Sequence, residues 1–86
     1  MEDKNLEFFN SIINNDVKRV KLLLSDSRVN PVDNNYAIIL AAKYGYTGVV
    51  KILLNDPRVN PAAQNNEAIR WAARNGHTEV VKLLLR

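Results

Sequence analysis

The residues able to carry catalytic chemistry in this chain are few and isolated. The sequence has one histidine, His77, and no cysteine, which excludes a thiol nucleophile, a disulfide framework and a two-histidine zinc site. The three serines have no base partner in any recognisable motif. Glu67 and Glu79 fall on different predicted helices, and the three glycines form no phosphate-binding loop. We therefore predict no catalytic residue, no cofactor and no metal site, and we interpret His77 as structural.

Length and charge favour one small domain. The chain has 86 residues, and twelve Lys and Arg against nine Asp and Glu leave a net charge of only +3. This excess is too small to indicate nucleic-acid binding. Uninterrupted aliphatic runs fall far short of the ~20 residues that cross a bilayer, and no signal peptide is apparent. We expect an intracellular protein, cytoplasmic or nuclear, that binds neither nucleic acid nor membrane.

An internal repeat is the main signal in the sequence. The Val-Asn-Pro of residues 29–31 recurs at 59–61, and the Ala-Ala of residues 41–42 recurs at 72–73. A more divergent copy precedes these two. The chain therefore reads as a single domain, residues 1–86, composed of a divergent N-terminal unit at about 1–25 and two clear units at 26–55 and 56–86.

Each unit is predicted to form two short helices joined by a tight turn. Gly45 and Gly76 end the first helix of the second and third units, because glycine readily adopts the conformation found just past a helix C-terminus. Asn15 and Asp16 form the corresponding break in the first unit. Helices this short are unstable alone in water and must pack on a neighbouring unit. The predicted helices are Leu6–Asn14, Val17–Leu24, Tyr36–Tyr44, Thr47–Leu54, Glu67–Asn75 and Thr78–Leu85.

Helix starts and buried faces follow from residue type and spacing. In the second unit, Asn34 or Asn35 is predicted to be the N-cap of the first helix, and Thr47 that of the second. The paired alanines at 41–42 and 72–73 let neighbouring helices approach closely. The first helix of the first unit is expected to bury an apolar stripe made of Leu6, Phe8, Phe9, Ile12 and Ile13.

The third unit resembles the ankyrin repeat. Its Ala-Ala, Gly-His, Val-Val and Leu-Leu pairs, all between residues 72 and 85, stand at the spacing of that family. The resemblance implies an all-α, ankyrin-type helix-turn-helix solenoid of three repeats with short inter-repeat loops. It also implies a non-enzymatic scaffold that binds another protein.

The sequence departs from the family pattern at several positions. Tyr46 stands at the histidine position of the second unit. Asn34 and Asn65 stand where the family has a loop glycine, and asparagine tolerates the left-handed conformation better than most residues. The period of about thirty residues is shorter than the usual thirty-three. In this respect the chain is similar to ankyrin arrays of giant viruses and amoebae.

The resemblance also implies a binding surface. Ankyrin proteins usually bind partners on the concave side formed by the turn tips and first helices. Arg70 and Arg74 are i, i+4 neighbours and would form a basic strip there with Lys43. Trp71 has two interpretations, packing between repeats or an exposed binding anchor. Ile13 and Asn14 are weaker counterparts in the first unit. The implied protein-binding residues are Asp33, Asn35, Lys43, Tyr44, Gln64, Asn66, Arg70, Arg74 and Asn75.

A purely structural role is the alternative hypothesis. The chain would then be a fragment of a longer array, or a designed or reconstructed repeat protein without an evolved partner. Repeat arrays need terminal units with a polar outer face, and the third unit has no such unit after it. We therefore expect Val81, Leu84 and Leu85 to be partly exposed and to mediate self-association into a homo-oligomer.

Overall fold

Six short helices make up the fold. The computed structural model of the chain describes residues 3–30 and 35–85, except for the side chains of residues 64 and 65. Within these ranges the secondary structure is helical with no β-strand, as expected for an all-α fold. The helices are α1 (Lys4–Ile13), α2 (Val17–Leu24), α3 (Tyr36–Tyr44), α4 (Thr47–Leu54), α5 (Ala63–Arg74) and α6 (Thr78–Leu84).

The helices form two layers. Each repeat is a hairpin of two helices, and α1, α3 and α5 pack side by side in one layer while α2, α4 and α6 pack in the other. The result is elongated, with principal extents of 38 × 21 × 18 Å. Because each hairpin packs on the next one along the chain, the arrangement is the solenoid that the repeated sequence predicts.

The core runs between the layers through all three repeats. Ile12, Ile38, Leu53 and Val80 are almost fully buried along it. Ala41, Ala42 and Ala72 are also buried and bring α3 and α5 into close contact. Ala73 was predicted to pack in the same way, but it is exposed.

A residue with positive φ separates the two helices of each repeat. Gly45 and Gly76 both have φ +73°, which confirms the predicted helix ends. In the first repeat Asn15 has φ +54° at the equivalent position. Asparagine is among the few residues other than glycine that adopt this conformation readily, so the divergent repeat keeps the same turn without glycine.

Four of the predicted helix starts agree with the structure, but α1 begins at Lys4 and α5 at Ala63, a few residues earlier than predicted. The predicted N-cap of α4 is wrong by one residue. Thr47 is the first residue of α4, and Tyr46 is its N-cap. Asn35 is the N-cap residue of α3, as predicted, with φ +51°, although its side chain makes no capping hydrogen bond. In the third repeat α5 begins at Ala63, and the left-handed residue is Asn66 at φ +60°, one position after the predicted Asn65. Asn34 lies outside the described residues.

The apolar stripe of α1 is narrower than the spacing predicts. Phe8 and Ile12 are buried, but Leu6 is 57% exposed and Ile13 is 45% exposed. These two side chains lie on the side of α1 that α2 and α3 do not cover. An apolar side chain at a helical period is therefore not sufficient evidence of burial here. Among the described residues, no helix is long and apolar enough to cross a membrane.

Candidate functional site

One side of the α1, α3 and α5 layer is open to solvent and carries exposed and half-buried side chains from all three repeats. We call it the first-helix face. Corresponding turns of the three helices contribute corresponding residues, such as Ile13, Lys43 and Arg74 at the last turn. Since helical residues three or four apart share a side, these positions line up into a continuous surface. Its members are Leu6, Phe9, Ile13, Tyr36, Lys43, Tyr44, Arg70, Trp71 and Arg74.

Repeats one and two supply the apolar part of this face. The rings of Phe9 and Tyr36 meet edge to face across the repeat boundary, with centroids 5.3 Å apart. Tyr36 and Tyr44 are each about half exposed, and the Tyr44 ring lies 5.7 Å from that of Tyr46. Aromatic side chains with one edge packed and one edge in solvent provide contact area at low entropic cost.

Repeat three, together with Lys43 of repeat two, supplies the basic part, which is centred on Trp71. The Lys43 ammonium lies 4.4 Å from the centroid of the Trp71 ring, and the Arg74 guanidinium carbon lies 5.6 Å from it. Glu67 accepts a hydrogen bond of 3.3 Å from the indole Nε1 of Trp71. A depression of about 290 Å³ is lined by Glu67, Arg70, Trp71 and Arg74. We call these four residues and Lys43 the Trp71 site.

The structure shows that Trp71 is partly packed and partly exposed, and its use as a binding anchor stays a prediction. The side chain is half-buried and packs against the hydrophobic core. Its remaining surface lines the depression and holds two cations by cation–π contacts. The contact between Lys43 and Trp71 was missed by sequence reasoning. Aligning the repeats would have indicated it. Lys43 is equivalent to Arg74, which lies one helical turn beyond Trp71, so Lys43 is expected on the same face.

Hydrogen bonds between repeats hold the Trp71 site in register. Asn75 Nδ2 donates to the carbonyl oxygen of Lys43 at 2.9 Å, and His77 Nε2 lies 3.0 Å from the same oxygen. In the preceding repeat Tyr46 Oη donates to the carbonyl oxygen of Ile13 at 3.2 Å. Asn75, predicted as a binding residue, therefore positions its neighbour, and His77 has a structural contact.

The turn-tip residues predicted to bind a partner differ in their contacts. Asn35 is half-buried, and its Oδ1 accepts from the backbone N–H of Asn60 at 3.2 Å. Its side chain therefore ties one repeat to the next. Asn5 makes the same bond in the first repeat, where its Oδ1 accepts from Asn30 at 2.8 Å. Asn66 is exposed. Asp33 and the side chain of Gln64 lie outside the described residues.

The residues assigned to self-association lie on the third hairpin. Leu85 is 70% exposed. Val81 and Leu84 are half-buried and pack against the core. Contact with a second copy through these residues stays a prediction.

Two Asp-x-Arg turns connect the repeats. The Arg28 side chain donates hydrogen bonds to Asp26, and these lower the pKa of Asp26 to about 2 from its ordinary value of 3.8. Hydrogen bonds from Arg58 likewise lower the pKa of Asp56. The Arg58 guanidinium also donates to the carbonyl oxygen of Leu24 at 3.2 Å. The second turn, which lies between repeats two and three, therefore also contacts the end of repeat one as well as ordering its own loop.

No metal-binding arrangement is apparent in the described part of the chain, where no three histidine or acidic side chains cluster. The side chains collected on the first-helix face are mostly aromatic, aliphatic and cationic, and the carboxylate of Glu67 lies among them. They can form apolar contacts, hydrogen bonds and ion pairs with another molecule.

Comparison with known proteins agrees with the repeat architecture. A family model described as ankyrin repeats, in three copies, matches residues 8–86. The chain therefore belongs to the ankyrin-repeat family, whose members generally serve as protein–protein interaction modules. No curated protein and no solved structure matches the chain significantly.

Proposed function

We propose that this chain is a non-enzymatic interaction scaffold that binds a polypeptide through its first-helix face. The observation that carries the proposal is the set of half-exposed aromatic and cationic side chains contributed there by three successive repeats. Tyr, Trp and Arg are enriched among residues that dominate binding energy at protein interfaces.

The rigidity of the face supports the same proposal. Backbone carbonyls at the ends of α1 and α3 are held by Tyr46 and by the pair Asn75 and His77. A surface fixed before binding loses less conformational entropy when a partner docks. A protein of this size can therefore bind a partner through a modest contact area.

A display library of random peptides tests the proposal, with the full chain immobilised as target. Enriched peptides should bind a variant carrying Ile13→Ser and Tyr44→Ser at least about tenfold more weakly, a change equal to ~1.4 kcal/mol. The matched control is Lys21→Ser with Leu22→Ser, two exposed positions on α2 in the other layer. Failure to enrich any peptide, or loss of binding in the control alone, would overturn the proposal.

Self-association has to be measured alongside, because Leu85 is exposed on the third hairpin. Sedimentation equilibrium over a range of concentrations gives the oligomeric state. If a homo-oligomer forms, Leu85→Ser should shift it toward monomer. The peptide experiment is then repeated on the monomeric variant, so that dimer formation is not mistaken for a property of the first-helix face.

A further inference from the structure

Charge is distributed unevenly along the first-helix face. At equivalent turns of α1, α3 and α5 the residues on this face pass from Ile13 to Lys43 to Arg74. At the equivalent positions about two turns earlier, the residues pass from Leu6 to Tyr36 to Glu67, and Glu67 accepts a hydrogen bond from the Trp71 indole. One end of the face is therefore aliphatic and aromatic, and the other end carries three cations around one tryptophan.

Lys43 and Arg74 differ from most other cations whose contacts are described. Lys4 pairs with Glu7 at 2.9 Å, Arg28 with Asp26 at 2.7 Å and Arg58 with Asp56 at 2.6 Å. By contrast, Lys43 and Arg74 have no carboxylate within ion-pair distance among the described residues. Both instead lie over the Trp71 ring. A ring contact positions a cation but leaves its N–H donors available, so both are oriented for an anionic ligand.

From this arrangement we infer that the partner is an acidic–apolar polypeptide segment, whose carboxylates occupy the Trp71 site and whose apolar side chains lie over repeats one and two. The inference rests on the proposed function and adds the chemistry and orientation of the ligand. Carboxylates match the N–H donors of Lys43 and Arg74, and the exposed Arg70 adds positive charge beside them. Apolar side chains match Leu6, Ile13 and Tyr36.

The apolar end argues for a polypeptide over a nucleic acid. A nucleic-acid strand carries a phosphate at every nucleotide and needs cations along its whole path. Here the cations are confined to one end of the face, and the net charge of the chain is only +3. A polypeptide with its acidic residues grouped at one end fits both halves of the surface.

A pair of synthetic peptides tests the inference on the full chain. The first has a run of glutamates followed by a run containing leucine and phenylalanine, and the second replaces each glutamate by glutamine. We expect the glutamate peptide to bind at least about tenfold more tightly at low salt, and to lose this advantage as ionic strength rises. Trp71, the single tryptophan of the chain, reports binding through its fluorescence.

Charge reversal locates the effect. The triple variant Lys43→Glu, Arg70→Glu and Arg74→Glu should abolish the preference for the glutamate peptide. A neutral variant with glutamine at the same three positions is the second test, because it avoids new repulsion within the fold. The matched control, with the same change of net charge, is Lys18→Glu, Lys21→Glu and Lys51→Glu, all exposed on α2 and α4. Circular dichroism checks that each variant is folded.

The orientation is tested with a nitroxide, which quenches tryptophan fluorescence on close approach. A nitroxide at the acidic end of the peptide should quench Trp71 strongly, and one at the apolar end should quench it weakly. Equal quenching from both ends would overturn the stated orientation.

Three other outcomes distinguish the acidic chemistry of the ligand from the proposed function and from nucleic-acid binding. If both peptides bind equally and the triple variant binds them as wild type does, the acidic chemistry is wrong. Should Ile13→Ser with Tyr44→Ser still weaken that binding, the proposed function survives. If labelled single-stranded DNA binds more tightly than the glutamate peptide and is lost in the triple variant, the Trp71 site binds nucleic acid, and the inference is overturned.

Discussion

Gly45, in the turn of the second repeat, lies against the side chain of His77, which is the N-cap residue of α6 in the third repeat. A Cβ atom added at Gly45 would stand 2.5 Å from Nδ1 of His77, which is too close for atoms that are not bonded. At Gly76 the same addition would meet nothing within 4 Å, although both glycines have φ +73°. The two positions therefore separate backbone strain from steric conflict with a neighbouring repeat.

Alanine substitution at the two glycines should have unequal effects. Gly76→Ala should lower the free energy of unfolding by about 1–2 kcal/mol, because an L-residue is strained in the left-handed conformation. Gly45→Ala adds displacement of His77 from the Lys43 carbonyl oxygen and should cost more. Urea denaturation followed by circular dichroism measures both. Equal losses would mean that His77 moves aside without cost.

The two Asp-x-Arg turns predict how stability depends on pH. Because folding lowers the pKa of Asp26 to about 2 and also lowers that of Asp56, the unfolded chain binds more protons in acid. Their stabilising contribution is complete above the ordinary pKa of 3.8. It is lost progressively as pH falls toward 2.

Neutralising these two carboxyl groups should flatten that dependence. Between about pH 5 and 2, the urea midpoint of Asp26→Asn with Asp56→Asn should fall less steeply than that of the wild type, although the variant is less stable at neutral pH. Above pH 6 the two slopes should coincide. Parallel curves throughout the acid range would show that other carboxyl groups control acid unfolding.

At the scale of the helix, equivalent backbone groups are bonded by different side chains. The last-turn carbonyl oxygen of α1 accepts from Tyr46, and that of α3 is contacted by His77. Tyr46 and His77 occupy equivalent positions in successive repeats. Carbonyl groups at a helix C-terminus accept no hydrogen bond within the helix and need such partners. The second and third repeats therefore each supply a partner for the last-turn carbonyl group of the repeat before.

Removing one hydroxyl group tests the strength of this bond. Tyr46→Phe deletes the donor to Ile13 and should destabilise the chain by about 0.5–1.5 kcal/mol, the usual net value of one hydrogen bond. Tyr44→Phe is the matched control, since Tyr44 is 49% exposed and its ring contact with Tyr46 is kept. Thermal unfolding compares them. Equal effects would indicate that the Tyr46 bond contributes nothing.

The sequence predicts the helix hairpins correctly but not all of the residues at which their helices begin. Gly45 and Gly76 mark helix ends because glycine has a strong local preference. The left-handed residues near the starts of α3 and α5 were harder to place, because neighbouring asparagines are locally similar. Positive φ falls on Asn35, just before α3, and on Asn66, within α5. Periodicity also overstated the burial of Ile13, because it locates an apolar stripe without showing which neighbours cover it.

The candidate site was predictable to a similar extent. Arg70 and Arg74 share a side of one helix, which spacing alone shows. The position of Lys43 over Trp71 depends on how two repeats stack. The bond from Asn75 to Lys43 depends on the same register. Local pattern therefore identifies which residues a helix exposes, and only the packed repeats show which of them meet.

At the scale of the whole molecule, each hairpin packs on its sequence neighbours. Stability in such an array is close to a sum of repeat and interface contributions. Damage to the third repeat should therefore propagate weakly to the first. Trp71 gives a local probe of the third repeat, whereas circular dichroism averages over all six helices.

Two buried valines provide a matched pair for this expectation. Val80→Ala in α6 should move the Trp71 fluorescence transition to lower urea and separate it from the circular dichroism transition. Val20→Ala in α2 should lower the circular dichroism midpoint with a smaller effect on fluorescence. Coincident transitions in both variants would show that the three repeats unfold as one cooperative unit.

Two different side chains, Tyr46 and His77, contact the last-turn carbonyl groups of α1 and α3. This affects how repeats can be added to the chain. Tyr46 and His77 differ in shape and chemistry, yet each reaches the same kind of backbone acceptor one repeat earlier. A duplicated copy of residues 46–76, inserted after residue 76, would therefore meet matching donors and acceptors at both new junctions. Gene duplication could extend this array by a whole unit without first evolving a new interface, leaving the exposed positions free to diverge.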